Sequence, residues 1–412
     1  MPFEPLQNRP LLVWPVYGLC ASLPLSMAGI SIFKLLTLLT ALVVLVAALL
    51  QGRRLLELRA APTLLALGML GALAASLSYT SVSLTEALTA LTKYGKLLLI
   101  PAIAVLVRSR AQAVTALRVY FITQSFVVLT SWLLFAGLSL PWVPAQRCAL
   151  TVVYSCSLDQ AILTSGFAAL AWHLRADFPT RFGPTFAVAM AALAALNLLF
   201  ALPGRTGHIC LFAIVAVGVW WTMPRKLRPL AVLAPFVAFA LAMLLSPQFN
   251  QRYAEVIFEV KAYQSEAKGH LETSSGLRLN YWRKSLQAMA EKPVFGYGVG
   301  SWQQQYWRLE PSARSSDTAS IRNPHQEFLL WGVQLGAVGI LLFSSWLVSF
   351  WWASRNFAAP AMRATVSLLV VFIVACSLNS ALYDGLVGDY FCALLAVLLT
   401  LGRYPPSSVS HR

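Results

Sequence analysis

Charge is what this sequence has least of. Asp, Glu, Lys and Arg make up only 11% of its 412 residues, against about 25% in soluble globular chains, while 58% of the residues are hydrophobic. That excludes a soluble globular protein and makes the chain a polytopic membrane protein. Cysteine is also scarce. Six are too few for a disulfide framework, and Cys20, Cys210, Cys376 and Cys392 fall in apolar runs. Cys148 and Cys156 share a polar loop and are placed to pair if that loop faces an oxidising compartment. The amino terminus lacks a short apolar core followed by a small-residue cleavage site, and Gly18-Leu19-Cys20 lacks the pattern of a lipoprotein box, so the first apolar run is expected to stay. Metal chemistry has little support, because there is no His/Cys ligand spacing and no close pair of carboxylates on one face. No internal repeat or low-complexity tract stands out, and Pro405 to Arg412 read as a disordered tail.

Long apolar runs are what the sequence has most of. Runs of about 17 to 25 residues fall near 11–27, 29–50, 61–80, 86–107, 113–137, 158–174, 184–203, 206–223, 229–246, 325–350, 363–383 and 386–402. The expected fold class is therefore all-α, with about twelve transmembrane helices. The net charge of +16 suggests nucleic acid until the basic residues are placed on this layout. Arg53, Arg54, Arg59, Arg108, Arg110, Arg175, Arg181, Arg225, Lys226, Arg228, Arg355 and Arg363 all follow even-numbered spans. Arg9, Arg403 and Arg412 at the termini fall on the same side. The positive-inside rule puts that side in the cytoplasm. The charge is then topological, and no nucleic-acid partner is expected.

Spans one to nine occupy 1–246, and 325–402 hold the last three before a cytoplasmic tail at 403–412. Between them lies an outward connection over 247–324, too long for a passive link. It reads as partly helical, with a mixed-charge helix over 253–268. In 277–291, Leu279, Trp282, Leu286 and Met289 mark one apolar face, suited to the membrane surface or to the roof of a cavity. The run Lys292 to Gly300 that follows has a Gly-x-Gly-x-Gly look, but no strand-to-helix context supports a nucleotide loop. A tight turn with its backbone close to a ligand or a helix fits better.

The outward loop re-enters the membrane at Asn323-Pro324-His325-Gln326, followed after nine residues by Gly336-Ala337-Val338-Gly339. Asn323 is suited to cap the helix and Pro324 to its first turn, which places His325 on that turn. Residues 325, 329, 332, 336 and 339 then form one narrow stripe. The glycines in it read as a close-packing face for another membrane helix. His325 reads as a functional group, since a helix N-terminus keeps an imidazole neutral, as a general base requires, and attracts anions.

Basic groups on the outward side break the charge rule. Arg205 sits in the tight hairpin Pro203 to His208, where a snorkelling arginine is the plain alternative. Arg278 follows Ser274-Ser275-Gly276, where a solvated loop arginine is the alternative. Guanidinium groups beside a helix N-terminus would make a phosphate or pyrophosphate site. Lys93 and Lys96 in the fourth span are costly unless they face a cavity or an anion, and Lys34 and Arg147 are weaker candidates of the same kind. Asp384 and Asp389, five residues apart, suit a cap or ion-pair role at least as well as catalysis. Among the other histidines, His208 reads as a hairpin residue and His173 as cytoplasmic, while His270 and His411 lie in polar segments.

His325-Gln326, nine residues and Gly336-Ala337-Val338-Gly339 match the His-[Asn/Ser/Gln]-x9-Gly-x-x-Gly pattern of bacterial O-antigen ligases. The Pro293 to Gly300 turn, the Arg205 hairpin, Arg278 and the twelve-span layout also resemble that family and its wider polymerase and ligase superfamily. The resemblance implies a GT-C-like glycosyltransferase of the inner membrane that uses no cofactor or metal. It implies an undecaprenyl-pyrophosphate-linked O-antigen donor and a lipid A-core acceptor, brought together on the periplasmic side. In that reading His325 is the base on the acceptor hydroxyl, and Arg205 and Arg278 hold the pyrophosphate, with Arg147, Lys96 and Lys93 as further candidates. Gln326, Asp384 and Asp389 would support them. A polymerase acting on a second lipid-linked glycan is the nearest rival. A protein O-oligosaccharyltransferase usually carries further outer domains, and a transporter should show midplane charges or inverted repeats.

Overall fold

The computed structural model describes residues 10–53, 55–177, 183–265, 273–315 and 320–405. His270, His411 and the tail beyond Pro405 lie outside them. In chain order the fold starts with α1 (Trp14–Ser22), α2 (Met27–Leu50) and α3 (Ala61–Ala75). A 3-10 stretch at Tyr94–Leu98 then joins α4 (Leu84–Lys93) to α5 (Leu99–Leu106). Next come α6 (Arg110–Phe135), α7 (Ser157–His173), α8 (Gly183–Phe200), α9 (Arg205–Thr222) and α10 (Ala234–Leu245). The long connection supplies α11 (Pro247–Gln264), α12 (Ser274–Glu291) and α13 (Trp302–Leu309), and α14 (Glu327–Ser354), α15 (Ala359–Leu378) and α16 (Gly385–Arg403) complete the chain. Among the described residues there is no strand. The protein is an all-α polytopic membrane protein.

Among the described residues, ten segments are long and apolar enough to cross a membrane. The two other expected spans coincide with shorter helices, the apolar Leu11–Ser22 and the 17-residue α7. At 1.5 Å per residue α7 is about 25 Å long, and it is buried along almost its whole length. The helix at the centre is α16, with 89% of its apolar window buried, whereas only 22% of the α2 window is covered by protein. That difference sorts the spans into a core and a lipid-facing rim.

The expected glycine stripe does not run along one continuous helix. Gly336 adopts φ 61° and ψ −149°, which breaks α14. A break strands backbone groups at membrane depth, where each unsatisfied one costs several kcal/mol. The glycine-rich turn fills it. The Ala337 N–H donates to the Pro293 carbonyl at 2.7 Å and the Val338 N–H to Val294 at 3.3 Å. In return the Tyr297 and Gly298 amides donate to the carbonyls of Val333 (2.9 Å) and Gln334 (2.8 Å). A Cβ on Gly336 would lie 2.4 Å from the Val294 carbonyl group, and one on Gly296 would lie 2.5 Å from the Val333 oxygen. Gly332 faces the Met289 thioether of α12. The partner of the stripe is therefore the loop's own turn and amphipathic helix, not another membrane span.

The other side of the turn is held at the end of α3. The Ser81 N–H donates to Tyr297, the Val299 N–H to Ser76 Oγ and Thr80 Oγ1 to the Val299 carbonyl. The turn thus pins α14 against α3. The apolar face read on α12 is also shifted. Tyr281, Ser285 and Ala288 form its buried seam, Trp282 and Met289 flank it, and Leu286 is 56% exposed. The shift arises because α12 packs mainly on α14 and α13, whose facing surfaces accept a tyrosine and small residues.

Gly336→Ala should abolish properly folded protein. Its Cβ meets backbone that cannot yield, and the φ value adds strain of about 1–3 kcal/mol. Gly332→Ala displaces only the flexible end of Met289 and should cost less. Size-exclusion profiles and thermal melts in detergent check both; equal behaviour of the two variants would contradict the role given to the break.

Candidate functional site

His325 does not lie on the first turn of α14. It precedes the helix in the left-handed region, at φ 51°, the one non-glycine residue with positive φ among those described. Asn323 does not cap the helix either, because its Oδ1 accepts from the His325 N–H at 2.9 Å, a local turn that competes with capping. Gln326 is the cap, with its side-chain oxygen accepting from the Leu329 N–H at 2.5 Å. Its own N–H donates to Ser380 Oγ at 3.2 Å. The imidazole is thus carried on a strained corner, oriented by backbone on both sides.

Glu327, which the sequence reading passed over, fixes that corner. Its carboxylate is completely buried. One oxygen accepts from the Trp331 indole at 3.0 Å, the other from the backbone amides of Leu382 (2.9 Å) and Tyr383 (3.1 Å). The start of α14 is thereby tied to the segment before α16. The available signal was an acidic residue at the head of a long apolar helix; its partners lie more than fifty positions away.

Two of the five basic candidates meet at this corner. Arg205 is the first residue of α9, and its guanidinium reaches Glu259 (3.3 Å) and Glu255 (3.5 Å) of α11 and Ser275 Oγ (3.2 Å) of α12. Burial alone would raise the Glu259 carboxyl, but hydrogen bonds from Ser275 and Arg205 hold it below its ordinary value. Arg278 donates to Asn379 Oδ1 at 3.4 Å, and Asn379 donates to Thr206 Oγ1 at 3.1 Å. Burial, then the charge of Arg205, depresses the Arg278 pKa. Two guanidinium groups are thus held within each other's field, an arrangement that a multiply charged anion relieves.

Arg278 also acts on His325. Burial first, then the Arg278 charge, lowers the His325 pKa from 6.5 to about 4. The imidazole is therefore neutral near pH 7. Among the described residues none hydrogen-bonds either ring nitrogen, and the Tyr281 ring lies 6.2 Å away, centroid to centroid. A neutral histidine beside Arg278, which itself lies in the field of Arg205, can take a proton from a hydroxyl while the arginines hold an oxyanion.

The other candidates lie elsewhere. Lys96 is buried in the 3-10 break between α4 and α5 and donates to the carbonyls of Asp384 and Gly385. Lys93 stands 4.2 Å over the Tyr383 ring in the wall of a cavity of about 960 Å³. Arg308, Arg314, Arg322 and Lys292 also line that cavity, together with Glu86 and Glu291, the last of which pairs with Arg308. Arg147 lines a different pocket. Asp384 caps α16 through the Val387 N–H, and Asp389 pairs with Lys34 at 2.7 Å, so both aspartates take the structural roles their spacing suggested. His208 is buried on the first turn of α9, its Nε2 2.8 Å from the Leu198 carbonyl, and His173 meets Ser367 at 3.0 Å.

Comparison with known proteins bears on the same region. A family described as O-Antigen ligase matches residues 189–344, a stretch that contains Arg205, Arg278, His325 and the α14 break. A 103-residue stretch is 26% identical to an uncharacterized protein of Haemophilus influenzae. That match covers 24% of this chain and about a quarter, 25%, of the relative's length.

Three outcomes are expected. Glu327→Ala leaves buried donors without a partner, at about 1–3 kcal/mol each, and should lower the thermal midpoint by several degrees. Carbethoxylation of His325, which needs the neutral ring, should titrate with a midpoint near 4 and shift upward in Arg278→Gln, followed by peptide mass spectrometry. Since folding holds this pKa below its unfolded value, stability present above about pH 6.5 should be lost as the pH falls toward 4. A midpoint near 6.5 in the native protein would contradict the assignment.

Proposed function

We propose that this chain, which matches an O-antigen ligase family over residues 189–344, transfers O-antigen polysaccharide from undecaprenyl pyrophosphate to a sugar hydroxyl of lipid A-core. The observation that carries this reading is a neutral His325 beside Arg278, with Arg205 in turn beside Arg278. His325 removes the proton of the acceptor hydroxyl as its oxygen attacks the anomeric carbon. Arg205 and Arg278 take the charge that builds on the leaving pyrophosphate. Direct displacement inverts that carbon and calls on no metal.

The site explains how a weak base becomes adequate. A group with a pKa near 4 is a poor proton acceptor at neutral pH. Pyrophosphate bound at Arg278 would cancel one of the two causes that depress it, so the base strengthens when the donor is in place. The Glu255 and Glu259 carboxylates orient Arg205 until the anion competes for it. The broad cavity that holds Lys93 and Arg322 offers room for saccharide next to the pinned 380–384 segment. On the positive-inside reading this end of the molecule faces the periplasm from the bacterial inner membrane, with both termini in the cytoplasm.

His325→Ala should cut transfer by about 10²–10⁴-fold, the usual contribution of a positioned base, with normal membrane insertion and melting. Arg278→Lys, which loses the two-toothed grip, should lower activity and weaken donor binding. The deciding experiment gives purified protein the lipid-linked donor with either lipid A-core or a second lipid-linked glycan, in excess chelator. Extension of lipid A-core is expected. Extension of the second glycan alone would make the protein a polymerase, and activity restored only by a divalent ion would overturn the metal-free mechanism.

A further inference from the structure

We propose that Cys148 and Cys156 are joined by a disulfide that locks the connection between α6 and α7. Their sulfurs lie 2.6 Å apart, separated by eight positions in sequence, so the bonded length of about 2.05 Å needs only a small adjustment of two exposed side chains. The four other cysteines are buried and out of reach of an oxidant.

The surroundings give the bond a task. One limb of the connection is already fixed, since the Thr151 carbonyl accepts from Ser131 Oγ at 2.8 Å and the Val153 N–H donates to Gln160 Oε1 at 2.9 Å. Cys156 stands at the cap position of α7, on that fixed limb. The other limb carries Arg147, whose Nη1 is buried without a hydrogen-bond partner among the described residues. A bond from Cys148 to Cys156 ties this limb to the helix. Both sulfurs belong to the wall of a pocket of about 480 Å³ that Arg147 shares with Asp159 and Asp384. The bond therefore sets where the arginine stands relative to the two carboxylates.

The chemistry balances with an oxidant of the thiol–disulfide exchange class. One cysteine thiolate attacks the oxidant's disulfide and forms a mixed disulfide, releasing one oxidant thiol. The second cysteine thiolate displaces the other, so two protons and two electrons leave this chain and the oxidant departs as a dithiol. This rests on the proposed topology, which puts the connection in an oxidising outer compartment.

The test counts thiols on the full-length protein purified without reductant, denatured and treated with a maleimide–polyethylene glycol. Of the six cysteines, the four buried ones should react before reduction and all six after it, and digestion should yield one reducible peptide pair spanning Cys148 and Cys156. Six reactive thiols before reduction, or a dimer on non-reducing gels lost in Cys148→Ser, would overturn the intramolecular bond. In parallel, reduced spheroplasts are treated with a membrane-impermeant maleimide. Labelling of Cys148 and Cys156 there, with six thiols free in the purified protein, would reject the bond and keep the topology. Labelling only after permeabilisation would reject the topology and, with it, the proposed route of oxidation.

Discussion

The structure turns on a set of backbone hydrogen bonds between a broken helix and a glycine-rich turn. Helix α14 cannot remain regular through Gly336, and the open amides and carbonyls on both sides of it are met by Pro293, Val294, Tyr297 and Gly298. The same turn holds the end of α3 through Ser76 and Thr80. Helix α12 leads directly into this turn, so the position of Arg278 on α12 depends on the break in α14. The head of α14, which follows His325, depends on it as well. A rearrangement there would move the arginine and the histidine together.

Around that anchor the polar groups sort into those tied into the structure and those held by fewer contacts. Glu327, Lys96, Asp384 and Asp389 are engaged by backbone or by each other's neighbours. They hold the segment from Ser380 to Asp389 in shape. Among the described residues, no hydrogen bond reaches the His325 ring, which lies against Tyr281, and Arg278 donates one long bond, to Asn379.

The sequence was informative where a property depends on nearest neighbours along the chain. Apolar runs located the spans, and Arg205 and Arg278, singled out from their local sequence, are brought into each other's field by the fold. The kink was not legible, because Gly336-Ala337-Val338-Gly339 inside a long apolar run reads as helix. What bends it is contact with Val294, over forty residues earlier. Glu327 was passed over for the same reason, since its donors at Leu382 and Tyr383 are invisible without the fold. Lys96 looked like an anion ligand because a lysine in a span needs an oxygen partner. The partner proved to be the main chain of Asp384 and Gly385.

The completed break also bears on how the protein is made. The Pro293 to Gly300 turn leaves the ribosome ahead of α14, so the groups that satisfy the helix are synthesised before the helix that needs them. Insertion of that segment into the bilayer and closure of the loop then form one step, because neither is stable with its amides and carbonyls bare. A chimera that exchanged the loop alone would leave a membrane helix with an unfilled gap at its middle.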